Sequence, residues 1–200
     1  VVAGVTMLMI SGEFDLSVGS MVAMGGFMFG KYVMDGGSPI VGLVLAIIVA
    51  AIMGLVNGLL VVGTGIPSFI VTLGTRSIFR GVVWVYSGGV LLQGTKAFPM
   101  YDVFNGQLDF INNLFPRATF GVPILWAIVV GVILQFVLTR TRFGNQVFAT
   151  GGNRDAATAQ GVNVKMVKVI CYVITGALCG IGGVLTYTQF LSVFVATGRG

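Results

Sequence analysis

The chain has 200 residues, of which 56% are hydrophobic and 8% are charged, with a net charge of +5 and a mean hydropathy of +1.01. This composition excludes an ordinary soluble domain and is typical of a helical membrane protein. The chain has no histidine and two cysteines. Imidazole catalysis and a closed zinc site are therefore excluded, and we expect no metal, no cofactor and no nucleic-acid partner.

Long stretches without a charged side chain predict membrane-spanning helices, because a span needs roughly 20 apolar residues. Cutting the chain at charges and at glycine and proline clusters gives six hydrophobic segments: about 1–11, 18–34, 40–62, 68–92, 120–139 and 167–191. The chain opens as "VVAGVTMLMI", without a methionine or a basic leader, and ends abruptly. We therefore expect one transmembrane domain over 1–200 that is an internal fragment of a longer protein.

The stretch "GEFDLSVGS", residues 12–20, places Glu13 and Asp15 between the first two segments. Carboxylates at this depth are costly and suggest a function. Two interpretations stay open. The stretch is either a tight cytoplasmic turn whose acids reach water, or an interrupted helix whose free backbone groups line a polar pathway.

Glycines four residues apart recur in the predicted helices. Such a pair puts both glycines on one helix face, where a second backbone can approach closely. The pairs are Gly26 with Gly30, Gly54 with Gly58, and Gly176 with Gly180. They predict a tightly packed bundle of several helices.

Arg80 lies about 19 Å into the fourth segment if the helix starts at Pro67, by a rise of 1.5 Å per residue. At that depth its side chain should face the bundle interior and bind a carboxylate or backbone carbonyls. Our hypothesis is an ion pair between Arg80 and Asp15 or Glu13. The alternative is a shorter span that leaves Arg76 and Arg80 among the lipid headgroups.

The loop at 140–168 is predicted to be cytoplasmic, since basic residues concentrate in cytoplasmic loops. It contains five cations and one acid, Asp155; the cations are Arg140, Arg142, Arg154, Lys165 and Lys168. Alternation of the segments then places 12–17 and 63–67 inside, and 31–39 and 93–119 outside.

Within this loop, "GGNRDAATAQG" predicts a short helix of about seven residues. Asn153 can cap its start, Asp155 lies in its first turn, and Gly161 can end it. Such a helix buries little surface alone. It is either a connector between two spans or a unit that docks into a groove on another protein.

Three blocks of this sequence strongly resemble the permease subunits of ribose-, xylose- and galactose-type ABC sugar importers. The blocks are "GEFDLSVGSM", "VNGLLVVGTGIPSFIVTLGT" and "RTRFGNQVFATGGNRDAATAQGVNVKMVKVICYVITGALCGIGG". Their order and spacing match the family over essentially the whole chain. The family's acidic continuation after "TGRG" does not occur in this sequence, so about four helices of a roughly ten-helix subunit are expected to be missing.

The resemblance implies an all-α multi-pass protein of the bacterial inner membrane, with a fold like that of the cobalamin-importer permease. It implies that two permease subunits work with two ATP-hydrolysing subunits and a periplasmic sugar-binding protein. The transported substrate would be a monosaccharide, a pentose or a hexose. The helix within 140–168 would be the coupling helix that inserts into the ATPase.

Site residues are carried over onto the matching positions. The docking surface for the ATPase would be Gly151, Gly152, Asn153, Ala156, Ala157 and Gly161. The translocation path would run near Asp15, Leu16, Ser17, Gly19 and Ser20, with Asn57, Ser68 and Thr72 as further polar candidates.

The chain is not expected to be an enzyme. The nearest approach to a phosphate-binding loop, "GGVLLQGTK", has its lysine one place too late and no Ser or Thr after it. A different class, an ion- or proton-coupled secondary carrier, also uses broken helices and buried charges. It would need coupling carboxylates within the spans, and Glu13 and Asp15 are the candidates.

Overall fold

Helices form most of the computed structural model, which describes residues 1–94, 98–114 and 120–198. Lys96 and Arg117 of the predicted outer loop lie outside the described residues. The helices are α1 Val2–Ile10, α2 Val18–Met34, α3 Pro39–Thr64, α4 Ser68–Ser87, α5 Tyr101–Asn105, α6 Asp109–Leu114, α7 Val122–Arg140, α8 Arg142–Gly152, α9 Arg154–Ala159 and α10 Val164–Phe190. Two short strands, β1 Leu92–Gln93 and β2 Ser192–Val193, pair antiparallel.

Each of the six predicted hydrophobic segments coincides with a helix: α1, α2, α3, α4, α7 and α10. Among the described residues, three of these helices are long and apolar enough to cross a membrane: α3, α7 and α10. The number of six spans stays a prediction, because α1 and α2 are shorter, with 9 and 17 residues, and α4 carries two arginines.

The structure differs from the sequence prediction at one helix boundary and by one additional helix in the loop at 140–168. The fourth segment was predicted to run to residue 92, but α4 ends at Ser87. Gly88 and Gly89 both have positive φ, 64° and 73°, which ends the helix and turns the chain toward β1. The loop at 140–168 also contains α8, an amphipathic helix that the charge count did not reveal.

Helix α10 lies in the middle of the bundle and meets α3 backbone to backbone. A Cβ atom added to Gly54 would lie 2.3 Å from the carbonyl oxygen of Tyr172, and one added to Gly176 would lie 2.3 Å from that of Ala50. Gly180 faces Ala46 in the same way, at 2.5 Å. The predicted role of these glycines in close packing is confirmed.

Helix α2 packs on a second face of α10 through the other predicted pair. A Cβ atom at Gly26 would lie 3.1 Å from the carbonyl oxygen of Gly183, and one at Gly30 would lie 2.6 Å from the Tyr187 ring. The Tyr187 ring also packs edge-on against Phe29 of α2, with ring centroids 5.9 Å apart. Helices α2, α3 and α10 therefore form one closely packed unit.

The outer faces of this bundle are apolar. On α7 the buried residues are Leu134 and Leu138, while Ile128, Val132 and Phe136 are each more than half exposed. A helix that is hydrophobic on all sides yet exposed needs an apolar surrounding. This arrangement agrees with lipid around α7.

The two ends of α10 carry different structures. Helix α9 precedes its first residue, whereas α5 contacts its last turn, where the Tyr101 hydroxyl donates to the carbonyl of Thr188 at 3.2 Å. A helix of 27 residues is about 40 Å long at 1.5 Å per residue. Helices α9 and α5 therefore lie at opposite ends of the bundle.

Replacing Gly176 with alanine is expected to destabilise the bundle by about 1–3 kcal/mol, because the added methyl group overlaps the Ala50 carbonyl. Gly81→Ala is the matched control, since an added Cβ atom there has no neighbour within 4 Å. Thermal unfolding can be followed with a thiol-reactive fluorophore, because Cys171 and Cys179 are free and buried. Equal unfolding temperatures for the two variants would contradict this packing.

Candidate functional site

Residues 11–17, which we call the link segment, connect α1 to α2 without helical structure. Gly12 has a φ of +85°, which turns the chain as α1 ends. Glu13 and Asp15 are buried, with 7% and 6% exposure. The burial of both acids contradicts a turn whose acids reach water, whereas a polar pathway along this segment stays a prediction.

Side chains of other helices satisfy the backbone of the link segment. The amide of Phe14 donates to Ser68 Oγ at 3.1 Å, and the amide of Leu16 donates to Thr72 Oγ1 at 3.2 Å. Ser68 and Thr72 are four residues apart on α4, hence on one face. The Tyr172 hydroxyl of α10 donates to the carbonyl of Phe14 at 2.9 Å.

Asp15 is the centre of a buried hydrogen-bond network. Its carboxylate accepts from the amide and the hydroxyl of Ser17, both at 2.7 Å, and from Asn57 Nδ2 at 3.1 Å. Asn57 Nδ2 also donates to Ser17 Oγ at 2.7 Å. Asn57 Oδ1 is buried with no hydrogen-bond partner among the described residues. The network attaches the link segment to α3.

The start of α2 contacts α4 and the segment 194–198. The Ser20 hydroxyl donates to the carbonyl of Arg76 at 3.1 Å. A Cβ atom at Gly19 would lie 2.3 Å from the carbonyl oxygen of Gly198, so a larger residue does not fit there. The eight predicted path residues therefore lie close together, six of them buried and Leu16 and Gly19 half-buried, and their polar atoms other than Asn57 Oδ1 bond to one another and to backbone.

The predicted pair between Arg80 and Asp15 or Glu13 stays a prediction. Arg80 donates to the carbonyl oxygens of Val195 and Thr197, the second at 3.3 Å. Glu13 forms an ion pair with Lys168 of α10. Carbonyl partners for Arg80 were among the alternatives that its depth in α4 allowed.

Helix α9 has the predicted caps. Asn153 Oδ1 accepts from the amide of Ala156 at 2.9 Å, and Gly161, with a φ of +83°, follows its end. Gly152, Asn153, Ala156 and Gly161 are exposed, as a docking surface requires.

Two of the predicted docking residues face the chain itself. Ala157 is 3% exposed, because a six-residue helix lying on the start of α10 turns one position inward. A Cβ atom at Gly151 would lie 1.7 Å from the carbonyl oxygen of Ile10. Gly151 is itself exposed, and the docking role of both residues stays a prediction.

Sequence reasoning missed Lys168 and Tyr172 as partners of the link segment. Lys168 belongs to the basic loop at 140–168. A buried carboxylate close to this loop, that of Glu13, favours a cation that turns inward to pair with it. The pair joins residues 155 positions apart, and local patterns do not indicate contacts across that distance.

Cavities lie at both ends of the bundle. A cavity of about 150 Å³ lies beside the ion pair; its walls include Glu13, Pro67, Ser68, Arg154, Lys165 and Lys168. A cavity of about 550 Å³ lies at the α5 end, where Phe98, Tyr101, Asp102, Asn105, Gln107 and Phe120 line it. In the described part of the chain, His, Cys, Asp and Glu side chains form no group of three that could hold a metal ion.

The apolar outer faces and the glycine-packed helices define a helical integral membrane protein. The family described as branched-chain amino acid transport system / permease component matches residues 1–199. The chain belongs to this family. No solved structure matches this chain.

Several curated relatives are similar along nearly all of the chain. The D-allose transport system permease protein AlsC of Escherichia coli is 32% identical over 99% of this chain, and the ribose import permease protein RbsC of Bacillus subtilis is 30% identical over 98%. The autoinducer 2 import system permease protein LsrC of Salmonella paratyphi B is 27% identical over 98%. The resemblance to sugar-importer permeases is confirmed. The chain spans 60%, 58% and 54% of the lengths of these relatives.

Thr72→Val is expected to destabilise the protein by about 1–3 kcal/mol, because it leaves the buried amide of Leu16 without an acceptor. Thr75→Val is the control. Thr75 is also buried on α4, but its hydroxyl bonds the carbonyl of Thr72 within the same helix. Thermal unfolding of the two variants in detergent measures the difference, and equal losses would mean that the Leu16 contact contributes nothing.

Proposed function

We propose that the chain is part of the transmembrane subunit of an ATP-binding-cassette importer that moves a monosaccharide across the bacterial inner membrane. The observation that carries this proposal is α9, a capped, exposed helix at the start of the long central helix α10. Its chemistry suits docking to another protein, and the family match supports such a partner.

The complete transporter, in this proposal, contains a second permease subunit, two ATP-hydrolysing subunits and a periplasmic sugar-binding protein. The full subunit has about ten spans, six of them in residues 1–200, in the arrangement of the cobalamin importer. The α9 end faces the cytoplasm, in keeping with the cations of 140–168, and the α5 end faces the periplasm.

The polar network around Asp15 is the closed part of the path in this proposal. The Asp15 carboxylate, Ser17 and Asn57 Nδ2 are paired with one another, so sugar hydroxyl groups must replace these partners when the path opens. Asn57 Oδ1, buried and without a partner among the described residues, would accept a hydroxyl group at little cost.

The cavity at the α5 end is our candidate for the place that receives the sugar. Phe98, Tyr101 and Phe120 offer apolar ring faces, and Asp102 and Gln107 offer hydrogen-bond acceptors. This combination suits a sugar, which has C–H faces and a rim of hydroxyl groups. The names of the relatives point to D-allose or ribose as the substrate class.

Uptake by the full-length permease, reconstituted with the ATPase and binding protein encoded beside it, tests the function. We expect labelled D-ribose or D-allose to enter proteoliposomes only with ATP, and the uptake to be insensitive to a protonophore. Uptake that stops with the protonophore and ignores ATP would indicate the secondary carrier instead.

Ala156→Trp is expected to weaken copurification of the ATPase by about tenfold or more, because it enlarges the exposed face of α9. Thr139→Trp is the control, a substitution of another exposed residue at the same end of the bundle. The ratio of ATPase to permease after affinity purification is the measurement. Unchanged ratios for both variants would exclude α9 as the docking element.

A further inference from the structure

The link segment 11–17 is held by both chain segments that flank α9. We infer that it is the element through which a displacement of α9 reaches the buried polar network. This inference rests on the proposed function, because it requires a partner that moves α9. It assigns roles to Glu13, Lys168 and Gly151 that go beyond docking.

The first contact is between backbones. Gly151 lies just before α9, and a Cβ atom there would lie 1.7 Å from the carbonyl oxygen of Ile10. Gly12 approaches the same glycine, with 3.8 Å between its added Cβ and the Cα of Gly151. The entrance to α9 therefore rests on the last residue of α1 and on Ser11 and Gly12 of the link segment, with no side chain between the backbones to absorb a movement.

The second contact is the ion pair of Glu13 with Lys168. Lys168 lies in the second turn of α10, just after α9, and the two side chains are 10% and 14% exposed. Breaking a shielded pair leaves an uncompensated charge, so the pair favours movement of both groups together. The cavity of about 150 Å³ beside it, which Arg154 of α9 also lines, leaves room for such a movement.

The link segment transmits this movement over a short distance. Asp15 follows Glu13 by two residues, about 7 Å along an extended chain. Its bond from Asn57 Nδ2, at 3.1 Å, and the bond from Asn57 Nδ2 to Ser17 Oγ join the segment to α3, and neither survives a shift of the segment by more than about 1 Å. Pulling at Glu13 therefore opens the network that attaches the link segment to α3.

The alternative is a static ion pair that only stabilises the fold. The two roles differ in their effect on coupling. Loss of a static pair lowers the amount of folded transporter, and uptake and ATP hydrolysis fall together. Loss of a transmitting pair lowers the sugar moved per ATP hydrolysed, while the assembled complex goes on hydrolysing ATP.

The test uses the reconstituted transporter with the full-length permease and labelled D-ribose or D-allose. Glu13→Gln and Lys168→Gln are each expected to lower sugar uptake per ATP by about tenfold, within the usual range of coupling between sites. The exchanged double variant, Glu13→Lys with Lys168→Glu, should recover at least about half of the ratio, because the pair is restored. Lys165→Gln, on the wall of the same cavity, should leave the ratio unchanged.

Hydrogen exchange on the wild-type complex gives a second measurement that does not depend on the folding of variants. The amides of Phe14 and Leu16 should exchange about tenfold faster when a non-hydrolysable ATP analogue is bound, while peptides from the first half of α3 stay unchanged. Equal exchange in both states, or variants whose uptake and ATP hydrolysis fall in parallel, would overturn the inference. If the wild type neither binds the ATPase nor transports sugar, the proposed function itself fails.

Discussion

Lipid provides no hydrogen-bond partners, so every break in a helix must be satisfied by the protein itself. This constraint explains most of the polar residues of the bundle interior. The link segment leaves backbone groups without helical partners, and Ser68, Thr72 and Tyr172 bond to them from α4 and α10. Asn57 of α3 does the same for a side chain, because its Nδ2 donates to the Asp15 carboxylate. One interruption thus accounts for one polar position on each of α3 and α10 and for two on α4.

Glycine packing makes this solution geometrically feasible. Asn57 of α3 and Tyr172 of α10 both reach the link segment because these two helices lie close together. Gly54 and Gly176 bring the backbones of α3 and α10 into contact. Larger residues at these positions would separate the helices and leave the buried donors out of reach. The buried polar network therefore depends on the close helix packing that these glycines allow.

The sequence was sufficient to predict the six apolar helices and α9, because long apolar runs, caps and glycine pairs are local signals, but it did not predict α5, α6 or α8. Helix α2 and the caps of α9 match their predictions closely. The partners of buried charges were not predictable in the same way. Glu13 could pair with any of several cations, and the choice of Lys168 depends on how α1, α8 and α10 pack. Ala157 shows the same limit, since composition predicts a small helix but not which of its positions turns inward.

The mechanical properties of these elements differ in a way that bears on transport. Helices α2, α3 and α10 touch through backbone atoms, and contacts of that kind resist small displacements because a closely packed core deforms little. Apart from its backbone contact with Gly151, the link segment is held by single hydrogen bonds and one ion pair, each of which can be exchanged individually. In the proposed transporter, a force that the ATPase applies beside α9 therefore acts on a rigid unit and on a deformable segment at the same time. The deformable segment yields first, and it is the one that carries Asp15 into the middle of the bundle.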